Sequence, residues 1–355
     1  MKVFLKILLL VSVFIVIIGC RSFHIRAEAA SRTQQAQVKF ALGTICSINL
    51  FEGGNSWLYS RIFSRIQEID RTMTAFENKF QDLDGIAAIN RQAGIEPVKI
   101  HSDLFYVLER ALYFAELSNG AFDPTVGALT RLWGIGTDMQ RIPNNYEIAT
   151  ALELVDWRNL IIDREEKTAF LRYKGMAIDL GGIVYGFAGD EAARIARENG
   201  VTRGIIDIGG DIVLLGWREM GGAENLPWRI GIQNPLGERG SFIGILLAHD
   251  KSIATSGVYE HFYEHEGRRY HHLFSTLDGF PVDNGLLSVT VVASSSIEAD
   301  ALSTVAFTMG FECGKALINS IPGAEAIFVF DNYRVSITNG LADVFTLTSS
   351  EFTLK

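Results

Sequence analysis

The chain has 355 residues, 48% of them hydrophobic, which is enough to bury one large core or two intimate ones. Its formal net charge of −9 excludes a phosphate backbone as the main partner, because nucleic acids demand a basic footprint. No C-x-x-C motif and no His/Cys ligand cluster occurs, so a zinc site is not expected.

The N-terminus carries Lys2 and Lys6, and residues 7–19 (ILLLVSVFIVIIG) form an unbroken apolar run that ends at Cys20. A basic start and an apolar stretch of this length read as a secretory signal rather than a spanning helix. The Ile17-Ile18-Gly19-Cys20 ending resembles a bacterial lipobox, in which the cysteine is lipidated and becomes the mature N-terminus. Residues 1–20 are therefore expected to be a lipoprotein signal, 21–37 a polar tether and 38–355 the folded domain. The expected location is the cell envelope, as an inner-membrane lipoprotein facing the periplasm. Cys46 and Cys313 remain, and both are expected to be small buried apolar residues.

Residues 38–51 alternate like one strand, interrupted at Gly43-Thr44. Leu58, Ile62, Ile66, Ile69 and Met73 have helical spacing over 57–73, and 74–94 reads as loop. A helix is expected over 102–119, capped by Ser102 and ended by Asn119-Gly120. Residues 120–136 (GAFDPTVGALTRLWGIG) are Gly-rich and aromatic, which suits a ligand-lining segment. Helices are expected over 146–154, 184–199 and 311–320. Strands are expected over 160–163, 169–180, 204–215, 228–233, 243–247 and 324–330, with a hairpin turning at Glu266-Gly267. Helices and strands interleave throughout, which makes the class α/β or mixed α+β.

Residues 295–310 (SSIEADALSTVAFTMG) carry the strongest chemical signal. They follow the β-branched strand 286–293, and the S-x-x-E spacing of Ser295 and Glu298 starts a helix. Asp300 and Thr304 stand four residues apart on that helix, so both face one way and offer two hard oxygens suited to Mg²⁺. Three glycine-bearing stretches could approach a ligand closely: DLGGIVYG (179–186, with Gly181 and Gly182), IDIGGDI (206–212, with Gly209 and Gly210) and ATSG, whose Thr255 and Ser256 add two hydroxyls. His271 and His272 point to opposite faces of a strand, so one of them can serve proton transfer in a cleft.

In this order, LGT (42–44), DPTVGALTRLWGIG, DLGGIVYG, IGGDI, PWRIGIQNP, ATSG, YHHLF and SVTVVASSSIEADALST resemble the ApbE family of Mg²⁺-dependent FAD:protein FMN transferases. The resemblance spans nearly the whole mature chain and implies a single T-fold-like domain of mixed sheets and interleaved helices. It implies that Asp300 and Thr304 bind the metal with a backbone carbonyl near Val184, and that His272 lies beside the reacting phosphate. It also implies an FAD cradle drawing on Gly181, Gly182, Gly209, Gly210, Thr255 and Ser256, with Asp123, Thr125 and Trp133 in the lining and Phe76 stacking on the flavin. The acceptor would be an exported redox protein bearing a Ser or Thr flavinylation motif, and AMP would leave. The chain departs from the family where a Lys is common, at Tyr185, and where I-D-P-R-T-G is usual, at Phe274-Ser275-Thr276-Leu277-Asp278-Gly279. From residues alone, Asp300 or His272 could take the hydroxyl proton. FAD hydrolysis to FMN and AMP, or flavin storage by a non-catalytic lipoprotein, would use the same pocket.

Overall fold

A computed structural model describes residues 36–74, 85–220 and 223–355. Phe76, Cys20 and the segment through residue 35 lie outside the described residues. The frame is a nine-stranded sheet whose strands lie side by side in the order they follow along the chain. They are β1 (Gln37–Ala41), β2 (Thr44–Leu50), β3 (Gly204–Ile208), β4 (Asp211–Leu215), β5 (Ser252–Gly257), β6 (Leu286–Ala293), β7 (Glu325–Phe330), β8 (Arg334–Ile337) and β9 (Thr353–Leu354). Neighbours pair antiparallel except β8 and β9.

Period-two alternation gives this sheet two apolar faces. In β6, Val289, Val291 and Ala293 enter one core, while Val292 enters the other. The first face is covered by helices. Those described are α1 (Ser56–Met73), α2 (Gly85–Arg91), α3 (Ser102–Leu117), α4 (Gly127–Trp133), α5 (Asn145–Leu152), α6 (Val184–Glu198), α7 (Ser296–Met309) and α8 (Phe311–Ser320). Of these α1, α6, α7 and α8 lie against the strands. The opposite face carries a small antiparallel sheet of Trp228–Gln233, Phe242–Ala248 and Phe345–Leu347, whose Trp228, Ile230 and Leu246 pack with Leu214, Ile253 and Val292. Helices, central sheet and small sheet form a layered α/β architecture, as expected.

Several expectations need correction. The 38–51 run is a hairpin, not one strand, because Leu42 and Gly43 both take positive φ (56° and 73°) and reverse the chain in two residues. The 204–215 run breaks in the same way at Gly209-Gly210, with φ of 67° and 107°. Within the 74–94 stretch, residues 85–91 form α2. The strand expected over 169–180 ends at Leu171, and beyond it Asn90 stands in for a strand partner, accepting from the Ile178 N–H at 2.6 Å and donating to the Ile178 carbonyl at 3.1 Å. Ser102 is the first residue of α3; the cap position belongs to His101, whose side chain makes no capping bond. Cys46 is buried, but Cys313 lies within α8 and is exposed; both are free thiols. The first described strand begins at Gln37.

Candidate active site

Helix α7 is apolar nearly all round, and Ile297, Ala299, Leu302, Val305 and Phe307 are buried. A polar side chain in such a helix must find partners inside the protein. At its start Ser295 accepts from the Glu298 N–H at 3.4 Å, but the Glu298 carboxylate turns to Arg110, so the expected capping box is half made. Asp190 of α6 completes the cap by accepting from the N–H groups of Ser296 (2.8 Å) and Ile297 (3.0 Å).

One turn further on, Asp300 is 5% exposed, and its Oδ2 accepts from the Gly186 N–H at 2.8 Å. That bond depends on glycine: a Cβ at Gly186 would lie 2.3 Å from the Ser296 carbonyl, so only glycine lets α6 approach α7 this closely. Burial lifts the Asp300 carboxyl to about 7, against the opposing pull of the Gly186 and Tyr185 N–H groups. Thr304 lies on the same face. Its Oγ1 is 3.0 Å from Ser256 Oγ, which is also 2.8 Å from Ser303 Oγ. The turn before α6 abuts this hydroxyl, since a Cβ at Gly182 would come within 2.9 Å of Thr304 Oγ1. Gly181 beside it donates to Asp179 at 2.8 Å, and Val184 begins α6. Asp300, Thr304, Ser256, Gly181, Gly182 and Val184 therefore meet where α6, α7 and β5 come together.

The two hairpin turns join them. A Cβ on Gly209 would meet the Thr44 side chain at 2.8 Å, and Tyr185 donates to the Leu42 carbonyl at 3.1 Å. Asp211, the first residue of β4, completes this group, and sequence reasoning does not single it out. It is 7% exposed and its Oδ2 has no hydrogen-bond partner. Burial raises its carboxyl well above the usual range, with the Asp300 charge adding to the rise and the Thr255 N–H opposing it.

Thr255 shows how alternation divides a strand. Ser256 faces α7, while the Thr255 hydroxyl lies on the other face of the sheet, 2.8 Å from that of Thr290. Only the Thr255 backbone turns to the carboxylates. After β5 the chain runs into the expected hairpin, Phe262–His265 with Arg268–His271, turning at Glu266-Gly267. His271 is buried against Phe307 of α7, with Nε2 2.9 Å from the Val282 carbonyl. His272 lies on the opposite side, half-buried, with Nδ1 3.1 Å from the His261 carbonyl. A carbonyl only accepts, so Nδ1 carries the proton and Nε2 keeps its lone pair. Burial and the neighbouring His261 and His271 push the ring down to about 3, so it is neutral.

The 120–136 segment is built differently. Asp123 Oδ1 accepts from the Thr125 N–H (2.7 Å) and hydroxyl (2.6 Å), and its Oδ2 accepts from the Trp157 N–H (2.9 Å). Thr125 in turn accepts from the Asp156 N–H at 2.9 Å. Trp133 is fully buried in α4, donates to the Gly279 carbonyl at 3.0 Å, and packs on Tyr270, Phe274 and Phe280. The polar atoms of these three residues serve as internal bracing, and that bracing carries the loop that follows His272.

A family model, described as the ApbE family, matches residues 42–328. The chain belongs to the ApbE family. An FAD:protein FMN transferase of Treponema pallidum (strain Nichols) is 32% identical over 335 residues, covering 91% of each chain. Another, from Klebsiella pneumoniae (strain 342), is 31% identical and covers 79% of this chain and 85% of its own. Among solved structures, the ApbE protein of Thermotoga maritima has a TM-score of 0.77 at 30% identity, over 86% of this chain and 97% of its own. The flavin transferase ApbE of Vibrio cholerae has a TM-score of 0.73 at 26% identity, over 89% and 97%. Against the ApbE pattern the Tyr185 departure has a local explanation: its hydroxyl ties α6 to the β1–β2 turn. In the altered 274–279 loop Ser275 and Gly279 bond to each other across a turn, and Thr276 donates to the Gly120 carbonyl at 2.8 Å.

Proposed function

We propose that this protein is an Mg²⁺-dependent FAD:protein FMN transferase acting on exported redox proteins. The observation that carries the reading is Asp300, a buried carboxylate held by the Gly186 N–H in the first turn of α6 and sharing a helix face with Thr304, in a chain whose relatives carry that name.

In the reaction a Thr or Ser hydroxyl of the acceptor attacks the FMN phosphorus of FAD. The bond to the AMP oxygen breaks, a phosphoester to the acceptor forms, and the hydroxyl proton must be taken up. Such a transfer depends on positioning and charge neutralisation more than on covalent chemistry. Asp300, Thr304 and a backbone carbonyl of the 181–184 turn are the oxygens that would hold Mg²⁺; the raised Asp300 carboxyl, buried beside an unpartnered carboxylate oxygen, fits a cation. When bound, the ion neutralises charge on the pyrophosphate oxygens. Ser256 and Ser303 fix the Thr304 hydroxyl, and the Tyr185 and Gly186 N–H groups at the start of α6 hold the Asp300 carboxylate. His272 is neutral before the transfer, with its Nδ1–H committed to the His261 carbonyl, so the Nε2 lone pair is the one that would accept the hydroxyl proton and the ring would become imidazolium. Gly209 lets the turn pack directly against Thr44, and Gly210, where a Cβ would meet nothing within 4 Å, leaves room for close approach of the dinucleotide.

The basic start, the apolar run and Cys20 support a cell-envelope lipoprotein anchored to the inner membrane and facing the periplasm, on the same side as its acceptors. The test is incubation of the chain from residue 21 onward with FAD, Mg²⁺ and an acceptor domain, following AMP, free FMN and acceptor mass. One FMN gained per acceptor with stoichiometric AMP is expected. Free FMN with AMP and no gain in mass would make water the acceptor and overturn the reading.

A further inference from the structure

Asp211 is left over from this scheme. It starts β4 directly after the Gly209-Gly210 turn and pairs with Ile208, so the hairpin fixes its backbone. Its side chain is more than nine-tenths buried, and Oδ2 has no hydrogen-bond partner. β4 pairs with β5 and packs against α7, the helix that carries Asp300. A buried carboxylate with an unpaired oxygen is costly, and a second carboxylate beside it adds to the cost. The ligand that answers two hard anionic oxygens at once is a divalent cation. Asp300 stands on the helical layer and Asp211 on the sheet that this layer covers, so the helix and the sheet each bring a carboxylate to this junction.

We propose that Asp211 is a further cation-holding residue of the centre formed by Asp300 and Thr304. The inference rests on the Mg²⁺-dependent reading above and adds a second carboxylate to it. A two-carboxylate centre takes up a divalent cation without flavin. A centre with Asp300 alone would lean on substrate phosphate to complete it.

The test is a Mn²⁺ titration of the flavin-free chain, following free Mn²⁺ by electron paramagnetic resonance, for wild type, Asp211→Asn, Asp211→Glu and Asp300→Asn. Thermal unfolding is recorded with and without the ion. Wild type is expected to bind Mn²⁺ without flavin. Asp211→Asn should weaken binding roughly 10–100-fold, keep or raise the metal-free Tm, and shrink the rise in Tm that Mn²⁺ produces; Asp211→Glu should recover part of the affinity. Asp211→Asn titrating like wild type would overturn the proposal, as would a wild type that takes up no Mn²⁺ without flavin. FMN transfer measured on the same preparations keeps the two readings apart. Transfer by wild type with unweakened Asp211→Asn binding removes Asp211 from the centre and leaves the transferase intact. Weakened binding in Asp211→Asn without transfer by wild type keeps the centre and removes the reaction.

Discussion

The α6–α7 junction and the 120–136 segment both carry buried carboxylates, yet they are opposite kinds of structure. Asp123 satisfies its oxygens with three donors, and Thr125 and Trp133 are likewise committed within the protein. At the junction Asp300 accepts from the start of α6, while Asp211 beside it keeps an oxygen without a partner. A buried polar group with a full set of partners holds the fold together; one left short of partners is where a ligand belongs. The lesson is that composition marks both regions as special, and the partner of each polar atom decides which is the site.

The largest effect that sharpens this contrast is on the reaction. Asp300→Ala should lower FMN transfer by about 10³-fold while the protein stays folded, checked by acceptor mass and by thermal unfolding. A variant that transfers normally would break the comparison.

Next comes pH. The Asp300 carboxyl is raised from 3.8 to about 7 in the fold. Below 3.8 the group is protonated in both folded and unfolded chains, so it contributes nothing there. As pH rises through the interval the unfolded chain ionises freely and the buried group does not, so metal-free stability falls, by at most about 4 kcal/mol once pH exceeds 7. Metal-free unfolding of wild type and Asp300→Asn from pH 4 to 8 checks this. The variant should gain on wild type as pH rises, and Mg²⁺ at pH 8 should stabilise wild type more. A constant difference between the two would contradict it.

Asp123→Asn should act on stability instead, by about 2 kcal/mol, because an amide nitrogen would face an N–H donor. Its transfer at 25 °C should stay near wild type, read by denaturant unfolding alongside activity. The smallest effect is expected for Thr255→Val: about 1 kcal/mol or less, from one lost bond to Thr290, with Mg²⁺ dependence of transfer unchanged.

Much of the junction was legible because its signals are local. Ser295 before an apolar helix, the β-branched run of β6 and the four-residue spacing of Asp300 and Thr304 need no knowledge of distant residues, and α8 and β6 fall where the pattern puts them. The β1–β2 and β3–β4 hairpins were not legible: Leu42 is an unusual residue for positive φ, and the apolar run continues through the turn. Gly209-Gly210 carries a two-residue turn signal, yet a Gly-Gly pair in a strand also suits a bulge. Asp211 was hidden because an Asp after two glycines looks like a turn residue; only the antiparallel pairing of β4 with β5, beneath α7, brings it to Asp300. Trp133 shows the reverse, since an aromatic among glycines suits a flavin pocket and a brace equally, and its bracing role becomes visible only through a bond to Gly279, 146 residues away.

The central claim is that the divalent cation sits at the α6–α7 junction. The most direct test is anomalous diffraction from crystals grown with Mn²⁺ and FAD. The account predicts a peak with Asp300 and Thr304 among its ligands. A peak elsewhere, or flavin bound with no metal against Asp300, would contradict it.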